Sequence, residues 1–380
     1  MLESFYQDKK VLITGATGFK GAWLSLWLTT LGAKVYAYSL VPPTYPSLWH
    51  AVGLAQDVSW EEGDINDGQH LQTYLAQVRP EIIFHLAAQA LVGESFRDPV
   101  TTMQTNVVGT LQVLEAARAA GKVKVFLNVT SDKCYAPGET GTSYPGAATP
   151  PFFVETDPLG AADIYAASKA AAEILATAYR LTYLMPEDRA ARAPFILASA
   201  RAGNVIGGGD WALERLIPDV MRAIQEDRPL VLRRPQAIRP WQHVLDALSG
   251  YLLLAAKLYT QEVPADVGAY NFGPDQEEDV TVAAAVQLFL QYYGQVPPHF
   301  TVAVGAACFR ENPVLRLSSG KAKKELGWHP VWPLKKALAA TAAWYRYGQQ
   351  NPSAAQLYAF SQDQIKEYME AAVWPKFGAF

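Results

Sequence analysis

The string Thr14-Gly15-Ala16-Thr17-Gly18-Phe19-Lys20-Gly21 limits what this chain can fold into more than any other feature. It follows the apolar run Val11-Leu12-Ile13 and leads into a helix-forming stretch over 22–31. Glycines at 15, 18 and 21 permit a tight turn, close approach of a pyrophosphate and close packing of helix on strand. Free N–H groups and the dipole at the helix start then favour an anion. A glycine string alone is a weak signal, and the strand before it and helix after it give it weight. The bland alternative is a turn with no ligand. No Gly-Lys-Ser/Thr ends the string, so it is not a P-loop.

The rest of the first half repeats that strand-then-helix alternation. Runs at 11–14, 34–38, 82–86, 124–129 and 195–200 read as buried strands, and 22–31, 69–77, 100–120 and 164–183 as helices. This alternation predicts an α/β fold: a Rossmann-type doubly wound parallel sheet with ligands at the strand C-termini. After about residue 203 the alternation weakens. Helices are expected at 216–224 and 244–258, a short strand at 270–272, and a helical tail with proline punctuation. We therefore expect a smaller, mostly C-terminal substrate-binding lobe. The expected division is 1–202 with 242–274 for the sheet domain and 203–241 with 275–380 for the second lobe. The Gly-, Thr-, Ser- and Pro-rich segment Ala136–Pro150 reads as a mobile loop.

Composition narrows the function classes. Of 380 residues half are hydrophobic and 18% charged, enough for a large core. A net charge of −4 without a polybasic block argues against nucleic-acid or membrane partners. Cys134 and Cys308 are the only cysteines, so no disulfide framework and no metal site are expected. No signal-like leader precedes the first strand and no transmembrane run follows, so a soluble cytoplasmic protein is the expectation.

Two motifs carry the chemistry. Val129-Thr130-Ser131-Asp132-Lys133-Cys134 gathers a hydroxyl, an acid and an amine at a strand end. Tyr165-Ala166-Ala167-Ser168-Lys169 puts a phenol and an amine four residues apart, on one helix face. A free phenol titrates near ~10, and a nearby ammonium with a positive nicotinamide ring is expected to lower that value. An oxidation needs only this Tyr and Lys. The added acid and amine point to an elimination, which needs one acid and one base close together. The alternative for Asp132-Lys133 is a strand-end turn with a solvated ion pair.

At the cofactor end the acid that usually bonds a ribose hydroxyl after the second strand is missing; Tyr38-Ser39-Leu40 stands there. The glycine pattern thus does not separate NAD from NADP. Asp64-Ile65, after the third strand, suits the adenine end, with a turn or helix-cap acid as the equal alternative for Asp64. Small residues around Ala87 let backbone approach a cofactor. His85 reads as a core histidine, and Asn106 as a residue that either braces active-site backbone or simply packs.

These motifs resemble the extended short-chain dehydrogenase/reductases that modify nucleotide sugars, and among them the 4,6-dehydratases acting on CDP-D-glucose. The stretches that carry the resemblance are GATGFKGAWLSLW (15–27), PPTYPSLW (42–49), TSDKCY (130–135), RAGNVIGGGDW (201–211), RLIPD (215–219), RPWQHV (239–244), NFGP (271–274) and LGWHP (326–330). In the related dTDP-glucose enzymes a glutamate takes the place of Lys133. The resemblance implies NAD as cofactor, held by Gly15, Thr17, Gly18, Phe19, Lys20, Gly21, Asp64, Ile65, Ala87, Tyr165 and Lys169. It implies CDP-D-glucose or a related nucleotide sugar as substrate, with Asn204 and Arg239 on its diphosphate. Arg215 is expected on the nucleotide part, or in a surface ion pair. It also implies that Tyr165 takes the C4 hydroxyl proton, Ser131 bonds near O4, Lys133 removes the C5 proton and Asp132 protonates the leaving C6 hydroxyl.

A homodimer through helices 100–120 and 164–183 is implied too, with Ala166, Ala170, Ala171 and Ala178 allowing close contact. The chain departs from the pattern at Ile164, where proline is common, and over Glu311–Leu315. A sister dehydratase, an epimerase, or a regulatory protein that binds without turnover are the competing readings.

Overall fold

The structure is a computed structural model and describes residues 2–136, 152–185, 194–264, 268–275, 279–294, 296, 300–305 and 314–375. The expected mobile loop lies outside the described residues from 137 onward, as do residues 311–313 of the divergent segment.

The strands are β1 (Lys10–Thr14), β2 (Lys34–Ser39), β3 (Ser59–Glu62), β4 (Ile82–His85), β5 (Val125–Val129) and β6 (Ile196–Ala202). They continue with β7 (Val205–Ile206), β8 (Leu230–Leu232), β9 (Gln242–His243), β10 (Ala269–Phe272) and β11 (Val302–Val304). Seven of them form one sheet in the order β3-β2-β1-β4-β5-β6-β10. Every pairing in it is parallel. This is the doubly wound order expected from the sequence, with its reversal between β1 and β4. All residues of β4 and β5 are buried, as strands covered on both faces must be. The small pairs β7–β9 and β8–β11 lie apart from the main sheet.

The first helices are α1 (Leu2–Tyr6), α2 (Phe19–Thr30), α3 (Leu48–Ala51), α4 (Gly68–Val78), α5 (Val92–Arg97) and α6 (Pro99–Met103). They are followed by α7 (Thr110–Ala120), α8 (Ile164–Tyr179), α9 (Leu216–Gln225), α10 (Val244–Tyr259), α11 (Val282–Tyr293), α12 (Leu334–Gly348) and α13 (Ala354–Ala371). A π-helical turn, Gln104–Gly109, joins α6 to α7, so the expected helix 100–120 is one rod with a widened middle. Leu71 and Leu75 of α4, Val113 and Leu114 of α7 and Tyr179 of α8 pack in one core cluster with Leu12, Ile83 and Phe126 of the sheet. The larger cluster joins Trp23 and Trp27 of α2, Leu248 and Leu252 of α10, Trp344 of α12 and Tyr368 of α13.

The site's scaffold follows from local sequence. Gly15 has φ +74°, and a Cβ there would meet the Ala87 backbone nitrogen at 2.6 Å. The ends of β1 and β4 therefore touch at the switch point only because this residue is glycine. A Cβ on Gly21 would sit 2.2 Å from the Gly15 carbonyl oxygen, so α2 seats against the turn through that second glycine. Asp163 caps α8 by accepting from the Ala166 N–H at 2.8 Å, which starts the helix at Ile164 and sets Tyr165 in its first turn. The alanine-rich body that follows is a strong helix former.

Candidate active site

One cleft of about 1080 Å³ runs along the C-terminal edge of the sheet. All the residues expected to serve catalysis, cofactor and substrate border it. Gly15, Thr17, Gly18, Phe19, Lys20 and Gly21 form one wall, with Asp64, Ile65 and Ala87 beyond them. Ser131, Asp132, Lys133, Tyr165 and Lys169 line the middle, and Asn204, Arg215 and Arg239 the far side.

The first wall is made of backbone. Gly18 caps α2 without any side-chain hydrogen bond, so the helix start presents its N–H groups to the cleft, as an anion site requires. Thr17 is held by the Ser39 hydroxyl at 2.7 Å and donates to the Leu40 carbonyl at 2.9 Å. Ser39 thus fastens the turn at the place where an acid would otherwise face a ribose. Asp64 is exposed and its Oδ1 accepts from the Asn66 N–H at 2.9 Å, so it is a turn acid and also borders the cleft. His85 is a satisfied core histidine between Thr14 at 2.7 Å and Thr110 at 3.0 Å, and burial holds it down near a pKa of about 3. Asn106 braces the site: it accepts from the Gln89 N–H at 2.8 Å and donates to Ser168 at 2.8 Å.

The middle holds the reactive groups. Ser131 lies two residues after β5 and caps the short turn Asp132–Cys134, accepting from the Lys133 N–H at 3.2 Å and donating to Asp132 Oδ1 at 2.9 Å. Asp132 Oδ2 is buried with no partner among the described residues. A Cβ on Gly203 would approach that oxygen to 3.1 Å and Pro240 to 2.6 Å, so glycine is what leaves it room. Burial raises the Asp132 pKa, and Lys133, Ser131, Arg239 and Lys20 pull against it. A carboxyl group raised in this way can carry a proton and give it up, the property an acid catalyst needs. Lys133 is half-buried beside it.

Tyr165 and Lys169 are 8% and 6% exposed, one helical turn apart. Among the chain's own groups, Lys169 is not one that lowers the Tyr165 phenol. Burial pushes Tyr165 up to about 12, and Arg215 and the Ser131 hydroxyl are the groups that oppose it. Burial also brings Lys169 down to about 8, with Glu173 acting in the other direction.

On the far side, Arg215 pairs with buried Asp210 at 3.1 Å. The expected ion pair of Arg215 therefore forms, but in the cleft wall. Arg239 is 5% exposed, and the Asn204 carbonyl accepts from the Gln242 N–H at 3.0 Å.

Sequence reading missed three features. Lys20 entered only as a backbone position of the glycine string, yet burial brings its amine down to about 7, and it donates to the Tyr251 hydroxyl at 3.4 Å. Arg233 and Arg234 also border the cleft just after β8, where adjacent arginines at a strand end were the available signal. Glu173 continues the Tyr165–Lys169 spacing by one more turn and is 2% exposed.

A glycine turn at the switch point of a doubly wound sheet, facing a Tyr–Lys helix, defines a dinucleotide-dependent enzyme of the short-chain dehydrogenase/reductase class. The chain belongs to the GDP-mannose 4,6 dehydratase family, whose profile matches residues 12–341. It is 40% identical over 369 residues to the CDP-glucose 4,6-dehydratase of Salmonella typhimurium, covering 97% of this chain and 98% of that protein. It is 28% identical over 356 residues to a dTDP-glucose 4,6-dehydratase of Xanthomonas campestris, covering 89% and 93%. Among solved structures, the dTDP-glucose 4,6-dehydratase DesIV of Streptomyces venezuelae with NAD bound is similar at TM-score 0.72 and 25% identity, covering 90% of this chain and 98% of that one. The UDP-glucose 4-epimerase of Thermotoga maritima shares the fold at TM-score 0.73 and 22% identity, covering 89% and 99%. The protein is thus an enzyme, and its family places it among the hydro-lyases.

Proposed function

We propose that the enzyme uses NAD to dehydrate CDP-D-glucose to CDP-4-keto-6-deoxy-D-glucose. The observation that carries this reading is the Asp132–Lys133 pair beside Ser131, in the same cleft as Tyr165 and Lys169. Oxidation alone has no use for that pair, whereas loss of water needs an acid and a base together. The 40% identity to a CDP-glucose dehydratase supports the choice of nucleotide.

The residues present fit the cofactor. The uncapped helix start at Gly18 suits a pyrophosphate, held by Gly15, Thr17, Gly18, Phe19, Lys20 and Gly21. Asp64 and Ile65 would lie at the adenine end, and Ala87, Tyr165 and Lys169 at the nicotinamide end. Bound NAD would supply a hydride acceptor for C4 and return that hydride at C6.

The chain's own groups move the protons. Tyr165 takes the proton of the C4 hydroxyl, with Ser131 hydrogen-bonded near O4. The resulting C4 ketone acidifies the C5 hydrogen, and Lys133 removes it. Asp132 gives its proton to the C6 hydroxyl, which leaves as water, and when hydride is returned at C6 the Lys133 ammonium would give its proton back to C5. Arg239 and Asn204 hold the diphosphate, where a guanidinium bonds phosphate in bidentate fashion, and Arg215 meets the nucleotide part. In this reading residues 1–202 and 242–274 serve the cofactor, 203–241 and 275–380 the sugar nucleotide, and the enzyme works in the cytoplasm.

A homodimer completes the proposal. Of the alanines expected at a two-fold axis, Ala166 and Ala170 are 4% and 5% exposed and pack within the chain, whereas Ala171 is partly exposed and Ala178 exposed. The same helical region also presents Val100, Ile174 and Leu181 at 76%, 58% and 60% exposure, an apolar surface suited to a second copy. A dilute sample sedimenting only as a 41.6 kDa species would contradict the dimer.

The function is tested with a panel of CDP-, dTDP-, GDP- and UDP-hexoses, read by the alkaline absorbance of the keto product and by product mass. The expected result is loss of one water from CDP-glucose with no net change in NAD. Unchanged mass with inverted C4 would establish an epimerase. Binding without any turnover would establish a regulatory protein.

A further inference from the structure

Behind the reactive groups lies a buried ion pair that the proposed chemistry does not use. Arg201 of β6 grips Glu173 of α8 in bidentate fashion, Nε to Oε1 at 3.0 Å and Nη2 to Oε2 at 2.9 Å. The two side chains are 6% and 3% exposed. The Thr130 hydroxyl, one residue before Ser131, donates to Glu173 Oε1 as well. Arg201 Nη1 donates to the Tyr135 hydroxyl at 3.0 Å, and Tyr135 donates to Asn271 Oδ1 at 2.6 Å. Glu173 thereby ties together α8, the end of β5 and β6, the elements that bring Tyr165 and Lys169 to Ser131 and Asp132.

We infer that Glu173 is a positioning residue of the proposed reaction: clamped by Arg201 and Thr130, it fixes α8 against the end of β5 and presents negative charge to Lys169. The inference rests on the reading in which Tyr165 and Lys169 act on the sugar nucleotide. An apolar pair of similar size would hold the helix about as well as a buried ion pair does. What the carboxylate adds is charge, one turn beyond Lys169 on the same helix face.

The surroundings of Lys169 show why that charge matters. Its other titratable neighbours are Cys134 in the turn after β5, His85 on β4 and Lys20 on α2, with Tyr165 one turn before it on α8. Burial pushes the Cys134 thiol up and His85 down to about 3, so both are neutral at ordinary pH. Burial raises Asp132 too. Glu173, paired with Arg201, remains as the fixed negative charge that opposes the burial of the Lys169 ammonium. The sign follows: without Glu173, Lys169 loses its proton at lower pH, and any step that needs the ammonium fails earlier as pH rises.

The test uses Glu173→Gln and the double variant Glu173→Gln/Arg201→Met, which removes both buried charges and leaves neither unpaired. The ¹³Cε shift of Lys169 is followed through pH without substrate or cofactor, beside the pH profile of kcat. Lys169 is expected to deprotonate about one pH unit earlier than in the parent, and the alkaline limb of kcat to move with it. Glu173→Asp, which keeps the charge, should restore much of the parent titration. An unmoved Lys169 titration in the double variant overturns the inference and leaves Glu173 a structural clamp only. The titration needs no turnover, so a parent inactive on every nucleotide sugar would end the dehydratase reading without deciding this one.

Discussion

Asp132 and Glu173 are carboxyl groups buried on adjoining elements of one site, and they are held in opposite ways. Glu173 has both oxygens engaged, by a bidentate guanidinium and a threonine hydroxyl. Asp132 has one oxygen on the Ser131 hydroxyl and the other without a partner among the described residues. Both oxygens of the first are thereby committed to donors. Burial raises the pKa of the second, whose Oδ2 has no donor among the described residues to oppose it, and leaves it able to exchange a proton. Burial is common to both, so burial alone does not assign a role. The number of donors facing each oxygen does.

Asp132→Asn probes the comparison with the largest expected effect. Dehydration should fall about 10²- to 10⁴-fold, the usual worth of one positioned acid. The fold should not suffer. A carboxyl raised on folding contributes stability below its unfolded pKa and loses it as pH rises, so at neutral pH the buried charge is a cost. The melting temperature of Asp132→Asn should therefore equal or exceed the parent's, and a marked fall would break the distinction between the two acids.

Arg201→Met reverses the pattern. It leaves Glu173 buried without its cation, and a broken buried pair costs about 3–5 kcal/mol. Urea unfolding would read that loss. A stability change within about 0.5 kcal/mol, the usual range for a surface substitution, would remove the pair from the scaffold.

A third buried acid, Asp246 of α10, sharpens the contrast with the smallest effect. Its Oδ1 accepts from the Val331 N–H at 2.7 Å and the Tyr368 hydroxyl at 2.8 Å, while Oδ2 has no partner among the described residues. Burial raises its pKa to about 6. Its stabilising contribution is thus complete below the unfolded value and lost as pH rises through about 6. Asp246→Asn should be about 1 kcal/mol more stable than the parent near pH 8, after allowance for an amide without an acceptor. That advantage should vanish near pH 4. An equal difference at both pH values would contradict the assignment.

The same contrast explains what was legible in the sequence. Backbone-built features could be read directly. The glycine turn carries its own conformational signature, and β4 is apolar through Ile82, Ile83 and Phe84 because a central parallel strand is covered on both faces. Edge strand β3, Ser59-Trp60-Glu61-Glu62, has no such run and is placed by pairing with β2 instead. Side-chain environments depended on distant partners. Lys20 meets Tyr251 across 231 residues, and Glu173 meets Arg201 on another strand. The spacing Tyr165–Lys169–Glu173 was visible, but nothing local showed that Arg201 would pair with its last member. Ala166 and Ala170 offered small surfaces, and only the packing against neighbouring elements decided that they turn inward. For the same reason the sequence did not show that burial would push the Tyr165 phenol up to about 12 against the pull of Arg215.

The central claim is that oxidation and elimination use separate groups in one cleft. Lys133→Met keeps the stem and volume of the side chain while removing its amine, so it separates the two most directly. The account predicts a 10²- to 10⁴-fold loss of dehydration, with reduced cofactor accumulating on addition of CDP-glucose, whereas Tyr165→Phe should yield no reduced cofactor at all. A Lys133→Met enzyme that releases dehydrated product at the parent rate would contradict the account and return Lys133 to a solvated ion pair.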